Sequence, residues 1–324
     1  MRRKLVTGAL GAGLMALLPA APPARAQSWP ARPVTLITAG ATGDGLDIIA
    51  RIFADNLAKT IGQPVLVDNR PGAGGRIAMN AIRQAQPDGY TIGAMSLNNI
   101  PLAAVNAKNS YDPIGDFAPV SLLCDATPML VINPSLPVKN VQELVAYAKA
   151  NPKKLNYSSS GVGSIFHFYG EWLRQLTGIE TTHVPYKGEA QALNDIVSGR
   201  VQFMFASGVS KQFVTTGRLT LLATAGPDRM AEFPAVPTLV ESGIPEFSIT
   251  GWIGLVAPAA VVPEVIKNLN AAAVAATRND DVKKALAVFT FVPRGSTPED
   301  FAKKIRLDLT RLAKVGQVSN IQLD

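Results

Sequence analysis

Short apolar runs rich in branched residues alternate along the chain with longer stretches whose apolar residues recur at helical spacing. The run at 33–38 is typical of a buried strand, and residues 46–61 predict an amphipathic helix that ends at Gly62. The same alternation predicts strands at 65–67, 91–95, 181–184, 201–205 and 219–224, and helices at 77–84, 141–150, 189–198, 263–277, 280–287 and 297–315. Strands that alternate with helices indicate an α/β fold with parallel, doubly wound sheets.

The stretch 155–167 begins as a strand, continues as a Ser/Gly loop and ends in the first turn of a helix. Ser164 occupies the position of an N-cap, Gly178 that of a C-terminal stop, and apolar residues recur at helical spacing between them. A loop of this kind directs backbone N–H groups, hydroxyls and the positive end of the helix dipole at one point. We therefore predict that it binds a carboxylate without the help of Arg or Lys.

His167 is the one histidine of that helix. It lies about 200° round from Ile165, at about 100° per residue, on the side that carries Ser164 and Glu171. The pattern predicts that His167 is not a core residue, and it leaves open whether His167 is solvated, pairs with Glu171 or contacts a ligand on the loop. A serine hydrolase using Ser164 and His167 is an alternative, but the sequence identifies neither a third group to orient the histidine nor an oxyanion hole.

Two places in the chain have the character of connections between domains. Prolines break up residues 97–118, after which apolar extended runs at 120–123 and 129–132 flank Thr127 and Pro128. We interpret this junction as the first crossing and the apolar run at 251–257 as the second. Residues 27–124 and 251–324 then form one domain, and residues 125–250 form the other.

The first 26 residues are typical of a cleaved signal peptide. A basic start at 1–4 precedes an apolar run at 5–18, and Ala24-Arg25-Ala26 is a small-x-small cleavage site. We therefore expect cleavage after Ala26. The apolar run is too short, and too interrupted by glycine, to span a membrane. The mature protein is therefore expected in the periplasm.

Composition and charge exclude several functional classes. The 324 residues are 47% hydrophobic and 17% charged, which is sufficient for a substantial core. The leader carries four of the seven net positive charges, so the mature chain has too weak a basic bias to indicate nucleic-acid binding. Cys124 is the single cysteine, and His167 and His183 are the only histidines. Neither an internal disulfide nor a zinc site is therefore expected, and no motif indicates a cofactor or another metal.

Three further features have mainly structural interpretations. The glycine-rich loop at 69–75 lacks the spacing of a dinucleotide fingerprint and the Lys-Ser/Thr of a phosphate loop, so a tight turn is favoured. Asp47 lies in the first turn of its helix, where compensation of the helix dipole and loop bracing are favoured over ligand contact. Lys187 is the one cation near a predicted strand end, and a surface role is the commoner one.

A set of fragments in order along the mature chain resembles the Bug proteins, the extracytoplasmic receptors of tripartite tricarboxylate transporters. They include Asn-Arg-Pro-Gly-Ala-Gly-Gly at 69–75, Pro-Asp-Gly-Tyr-Thr at 87–91, His-Val-Pro-Tyr-Lys-Gly at 183–188 and Phe-Pro-Ala-Val-Pro-Thr at 233–238. The others lie at 29–37, 62–65, 111–113, 117–120, 155–157, 160–164 and 251–258. Together they cover nearly the whole mature chain.

The resemblance implies a type II periplasmic-binding-protein fold, in which two α/β domains joined by two crossing strands close on a small carboxylate. Such a protein is a monomer without catalytic activity that delivers its ligand to two membrane subunits of a transporter. A sensor that presents the same ligand to a membrane kinase would share the site and differ only in its partner.

In this family two loops hold the carboxylate through backbone N–H groups, hydroxyls and ordered waters. The resemblance therefore implies that the ligand-binding residues are Gly40, Ala41, Thr42, Gly43, Asp44, Asp47, Ser159, Ser160, Gly161, Val162, Gly163, Ser164, His167, Ala206 and Ser207.

The chain departs from the family pattern at the same site. Ala39 and Gly40 replace a usual Pro-Phe pair, and Asp44 replaces a usual glycine. Ala206 stands where an aspartate is usual, and Glu189 where a small residue is usual. A carboxylate at Asp44 would repel a dianion. We therefore expect a monoanion with a polar or cationic tail, or a neutral compound, rather than a citrate-like ligand.

Overall fold

The computed structural model of the protein describes residues 29–105, 111–319 and 321. The signal peptide expected at 1–26 lies outside these residues. The strands are β1 Val34–Thr38, β2 Val65–Asn69, β3 Thr91–Ser96, β4 Phe117–Ala126, β5 Met129–Ile132, β6 Asn156–Ser159, β7 Thr182–Pro185, β8 Phe203–Ala206, β9 Thr220–Thr224, β10 Gly251–Pro258 and β11 Phe291–Pro293. The helices are α1 Gly45–Ile61, α2 Arg76–Arg83, α3 Ile100–Ala104, α4 Val141–Ala150, α5 Ile165–Thr177, α6 Glu189–Val197, α7 Lys211–Thr215, α8 Pro263–Arg278, α9 Asp280–Val288 and α10 Pro298–Val318.

The described strands form two sheets. The first has the order β11-β4-β10-β3-β1-β2, with β1, β2 and β3 parallel and β10 antiparallel to both of its neighbours. The second has the order β7-β6-β8-β5-β9, with β6, β7 and β8 parallel and β5 antiparallel to β8 and β9. Each sheet therefore has one edge at which the carboxyl ends of three parallel strands meet, and ligands of open α/β sheets bind at such edges.

The chain passes between the sheets twice. Strand β4 stays in the first sheet as far as Ala126, and β5 begins in the second sheet at Met129, so the outward passage takes place at Thr127 and Pro128. On the return, the N–H of Ile249 still donates to the carbonyl of Ala225 beside the second sheet, whereas Gly251 already pairs in the first.

One hydrophobic cluster contains residues from both sheets. Phe247 stacks on Phe205 of β8 at 5.1 Å and on Trp172 of α5 at 4.6 Å. Trp252 of β10 and Phe301 of α10 meet edge to face at 5.2 Å. Each fully buried aromatic side chain stabilises the fold by about 1.5–3 kcal/mol.

Local sequence signals explain most helix boundaries. Helix α10 begins after Thr297, whose hydroxyl accepts the N–H of Asp300, and Pro298 fills a first-turn position where its missing N–H is not needed. Two elements differ from the sequence pattern, which indicates an irregular segment at 97–118 and no strand at 291–293. Pro101 lies in the first turn of α3, where a proline is compatible with a helix. Among the described residues, no helix is both long and apolar enough to cross a membrane.

Candidate functional site

The first loop, residues 39–47, joins β1 to α1, and Asp44 organises it. Asp44 is the N-cap of α1: its Oδ1 accepts the N–H of Asp47 at 2.9 Å, and its Oδ2 accepts the N–H of Ala41 at 2.8 Å. Its own N–H donates to the Ala41 carbonyl at 3.0 Å. The carboxylate of Asp44 thus takes two N–H groups that a bound anion could otherwise use.

Asp47 braces the first loop from beneath and is only 2% exposed. Its carboxylate accepts the N–H of Gly43 at 2.8 Å, the amide of Asn69 at 2.8 Å and the guanidinium of Arg51 at 2.9 Å. Burial alone would raise the pKa of Asp47, but these donors outweigh burial and lower it. Because Asn69 also donates to the carbonyl of Gly40 at 2.8 Å, the carboxyl end of β2 holds the first loop in place.

The second loop, residues 159–167, joins β6 to α5. Ser164 is the N-cap of α5 and accepts the N–H of His167 at 3.3 Å, while its own N–H donates to the Gly161 carbonyl at 3.1 Å. The N–H of Gly163 donates to Nδ1 of His167 at 3.1 Å. Val162 is 58% exposed at the tip of the loop. None of the described hydrogen bonds uses the N–H groups of Val162, Ile165 or Phe166.

The prediction that His167 lies outside the core is wrong. His167 is 8% exposed, and its ring stacks on that of His183 at 3.9 Å with an interplanar angle of 6°. Its helix face is covered because α5 packs closely on β6, where Gly170 contacts the ring of Tyr157: a Cβ at Gly170 would lie 2.1 Å from that ring. His167 therefore fixes the shape of the second loop, with its Nδ1 bound to the loop's own N–H.

Both stacked histidines are held uncharged. Burial is the main cause: it lowers the pKa of His167 and, together with the neighbouring His167 ring, lowers the pKa of His183 to about 3. The Glu171 carboxylate does not pair with His167, since it accepts the hydroxyl of Tyr157 at 2.5 Å and the guanidinium of Arg174 at 2.6 Å. The interpretation of His167 as a partner of Glu171 is therefore also wrong.

The hydroxyl groups of the second loop do not form a nucleophilic site. Ser164 Oγ contacts the backbone N–H of His167, whose ring nitrogen Nδ1 is occupied by Gly163. Ser159 Oγ lies 2.7 Å from Nε2 of His183, but Ser159 is fully buried, so a substrate cannot approach it. The geometry gives no support to the Ser164/His167 hydrolase.

A third segment lies at the end of β8. Ala206 is fully buried in the cluster beneath the second sheet, and both donors of Ser207 are taken by Glu189. The N–H of Ser207 donates to Oε1 of Glu189 at 2.6 Å, and its hydroxyl donates to Oε2 at 2.8 Å. Burial raises the pKa of Glu189 to about 6. Glu189 is not among the site residues predicted from the sequence. The signal that could have identified it is that two departures from the family pattern occur together: a carboxylate is gained at position 189, and one is lost at position 206.

The first and second loops lie at the carboxyl-end edges of different sheets. Ala41, Thr42, Gly43 and Asp44 are exposed in the first loop, and Ser160, Gly161, Gly163 and Ser164 are partly exposed in the second. No described hydrogen bond or ion pair joins the two loops. Two surface grooves of about 480 and 490 Å³ contain no residue of either loop. Lys187 is exposed, as its surface interpretation required.

Comparison with known proteins gives a consistent picture. Residues 49–321 match the family described as the Tripartite tricarboxylate transporter family receptor, TctC. Protein BugT of Bordetella pertussis is 33% identical over 307 residues, which cover 94% of each chain. The structure of R. palustris Rpa4515 with adipate has a TM-score of 0.80 and 31% identity, covering 90% of this chain and 99% of that one. The structure of MatC from Rhodopseudomonas palustris with bound malate has a TM-score of 0.77 and 30% identity, covering 89% and 99%.

Proposed function

Because the chain belongs to the TctC family of tripartite tricarboxylate transporter receptors, we propose that it captures a small organic carboxylate between its two sheets and delivers it to a membrane transporter. Members of the family are periplasmic solute receptors, so the predicted fold and the resemblance to the Bug proteins are confirmed. Adipate and malate, the ligands of the two related structures, are both carboxylates.

The observation that carries the proposal is the second loop. It presents the N-terminus of α5, the hydroxyl of Ser164 and the N–H groups of Val162, Ile165 and Phe166, next to histidines held uncharged. An anion is stabilised at such a helix end by the dipole and by direct hydrogen bonds. Three or four charge-assisted hydrogen bonds contribute about 1.5–3 kcal/mol each. Their sum is of the same order as the binding free energy of about −8 kcal/mol that corresponds to a micromolar Kd, and it must also offset the cost of association.

The first loop, the second loop and the segment after β8 form the proposed site. It draws on the fifteen residues expected from the sequence, from Gly40 to Ser207. The buried Asp47, Ser159, His167 and Ala206 act through the shape of their segments and not by touching the ligand. The proposed domains are those expected from the sequence, 27–124 with 251–324 and 125–250, except that Asp125 and Ala126 belong with the first because they pair in its sheet. Rotation about the two passages, at residues 127–128 and 250, closes the site around the ligand.

The proposed export, location and partners are those of a transporter receptor. Residues 1–26 are removed after export, and the mature monomer acts in the periplasm on two membrane subunits. The protein performs no catalysis and needs no cofactor or metal.

A thermal-shift screen of mono- and dicarboxylic acids on the mature chain, residues 27–324, tests the proposal. A ligand at about 100 times its Kd stabilises the folded state by about 2.7 kcal/mol, which raises the Tm by several degrees. Isothermal titration then confirms a 1:1 complex for each compound that shifts the Tm. Absence of a shift with every carboxylate would contradict the proposal.

A further inference from the structure

The two loops share one hydrogen-bond pattern. In each, a glycine with positive φ precedes the N-cap, at 85° for Gly43 and 76° for Gly163. The N-cap side chain accepts an N–H three residues ahead, and the residue at that position accepts the glycine N–H in return. The backbones are thus equivalent, so a difference in ligand preference between the loops has to come from their side chains.

The side chains give the loops different charges. The first loop places Asp44 and Asp47 at the N-cap and three residues beyond it, and Arg51 pairs with Asp47. Asp44 forms no ion pair among the described residues and is exposed to solvent. The second loop has Ser164 and the uncharged His167 at the same two positions. The positive end of α1 is therefore already compensated by the protein's own carboxylate, and that of α5 is not.

In the segment after β8, too, a carboxylate of the protein occupies donors that a ligand could otherwise use. Its available donors, the N–H and hydroxyl of Ser207, are both bound by Glu189. A second carboxylate of a ligand would have to displace a carboxylate of the protein at this position too.

We propose, on the basis of the proposed function, that the ligand is a monocarboxylate bound in one orientation. Its carboxylate lies on the second loop, and its opposite end carries hydrogen-bond donors, such as an amide or ammonium group, that face Asp44. Each oxygen of Asp44 accepts one N–H of the loop and retains a lone pair for a donor of the ligand. Asp44 is thus the residue that excludes dicarboxylates.

The test compares each dicarboxylate of four to six carbons with its own monoamide, which has the same length and one negative charge fewer. Titration calorimetry on the mature wild-type protein is expected to give about tenfold or more tighter binding of the monoamide. Asp44→Ser, which gives the first loop the cap of the second, is expected to shift this ratio about tenfold toward the dicarboxylate. Asp44→Asn, which removes the charge and keeps the shape, is a second variant should the serine variant fold poorly.

The converse variant, Ser164→Asp, gives the second loop the cap of the first. It is expected to weaken both members of the pair by about a hundredfold. Asn140→Asp adds the same charge at the N-cap of α4, and Asp300→Ser removes one from the exposed first turn of α10. Both controls are expected to leave the ratio unchanged.

The outcomes distinguish a failure of the proposed receptor function from a failure of the proposed ligand orientation. If the wild-type protein binds neither member of any pair, the proposed function fails and the orientation with it. If it binds carboxylates but prefers the dicarboxylate, or if both Asp44 variants keep the wild-type ratio, the receptor function stands and the orientation is overturned.

Discussion

The first and second loops show how one backbone arrangement can produce two different electrostatic environments. Both connect a parallel strand to a helix, and both close through an N-cap and a side chain three residues beyond it. In the first loop the hydrogen-bond acceptors are the carboxylates of Asp44 and Asp47. In the second loop they are the hydroxyl of Ser164 and the uncharged imidazole of His167. A helix N-terminus attracts an anion only while the protein leaves its donors and its dipole uncompensated, so geometry alone does not identify the anion site.

The largest expected effect on stability comes from removing the brace of the first loop. Asp47→Ala removes the carboxylate that accepts the Gly43 N–H, the Asn69 amide and the Arg51 guanidinium. Asn69 keeps its bond to the Gly40 carbonyl and Arg51 its bond to Asn69, whereas the described hydrogen bonds give the Gly43 N–H no other acceptor. We expect a loss of about 2–3 kcal/mol in the free energy of unfolding, measured with urea. Asp68→Ala breaks an exposed pair with Arg70 and is expected to cost less than about 1 kcal/mol. A loss at Asp47 no greater than at Asp68 would contradict the bracing role.

The uncharged histidines behind the second loop give stability a pH dependence of known sign. The pKa of His183 is about 3 in the folded protein, below its usual 6.5, so the unfolded chain binds a proton that the folded chain does not. Stability is therefore fully present above about pH 6.5 and falls as the pH decreases, by about 2 kcal/mol at pH 5. His183→Gln, which can still bond Ser159, is expected to flatten this part of the pH profile of Tm. An unchanged slope would show that His183 is not the group responsible.

These two predictions concern the first and second loops, and the sequence alone predicts the position of both loops but not all of their contacts. Both loops could be predicted as strand-to-helix connections because N-caps such as Asp44 and Ser164 are local signals. The burial of His167 could not, because a helical wheel describes one helix and cannot report that Tyr157 and His183 cover its polar side. The pairing of Glu189 with Ser207 joins a helix start to a strand end 18 residues later, a contact that only the folded sheet creates.

Glycine substitutions test whether the two backbones are equivalent. Gly43→Ala and Gly163→Ala each place a side chain at positive φ, which costs about 1–2 kcal/mol. Equal losses in urea unfolding would support equivalent turns. Gly45→Ala lies next to the cap of α1 without a positive φ and serves as the control. A loss at Gly43 or Gly163 no larger than at Gly45 would break the comparison.

The smallest expected effect concerns Glu189, which provides the second sheet with its own internal carboxylate. Its pKa of about 6 is above the ordinary value of 4.5, so the folded protein holds this proton more tightly than the unfolded chain does. The cost of ionising Glu189 is therefore absent below about pH 4.5 and present above about pH 6. Glu189→Gln keeps an acceptor for the Ser207 N–H and a donor for its hydroxyl. The raised pKa corresponds to about 2 kcal/mol, and solvent screening at the partly exposed Glu189 reduces it, so the variant is expected to be more stable than the wild type by about 1 kcal/mol at pH 7.5. Urea unfolding of the variant and the wild type at pH 7.5 and pH 4.5 should show that this difference in stability disappears at the lower pH. An equal difference at the two pH values would mean that the charge of Glu189 is not its cause.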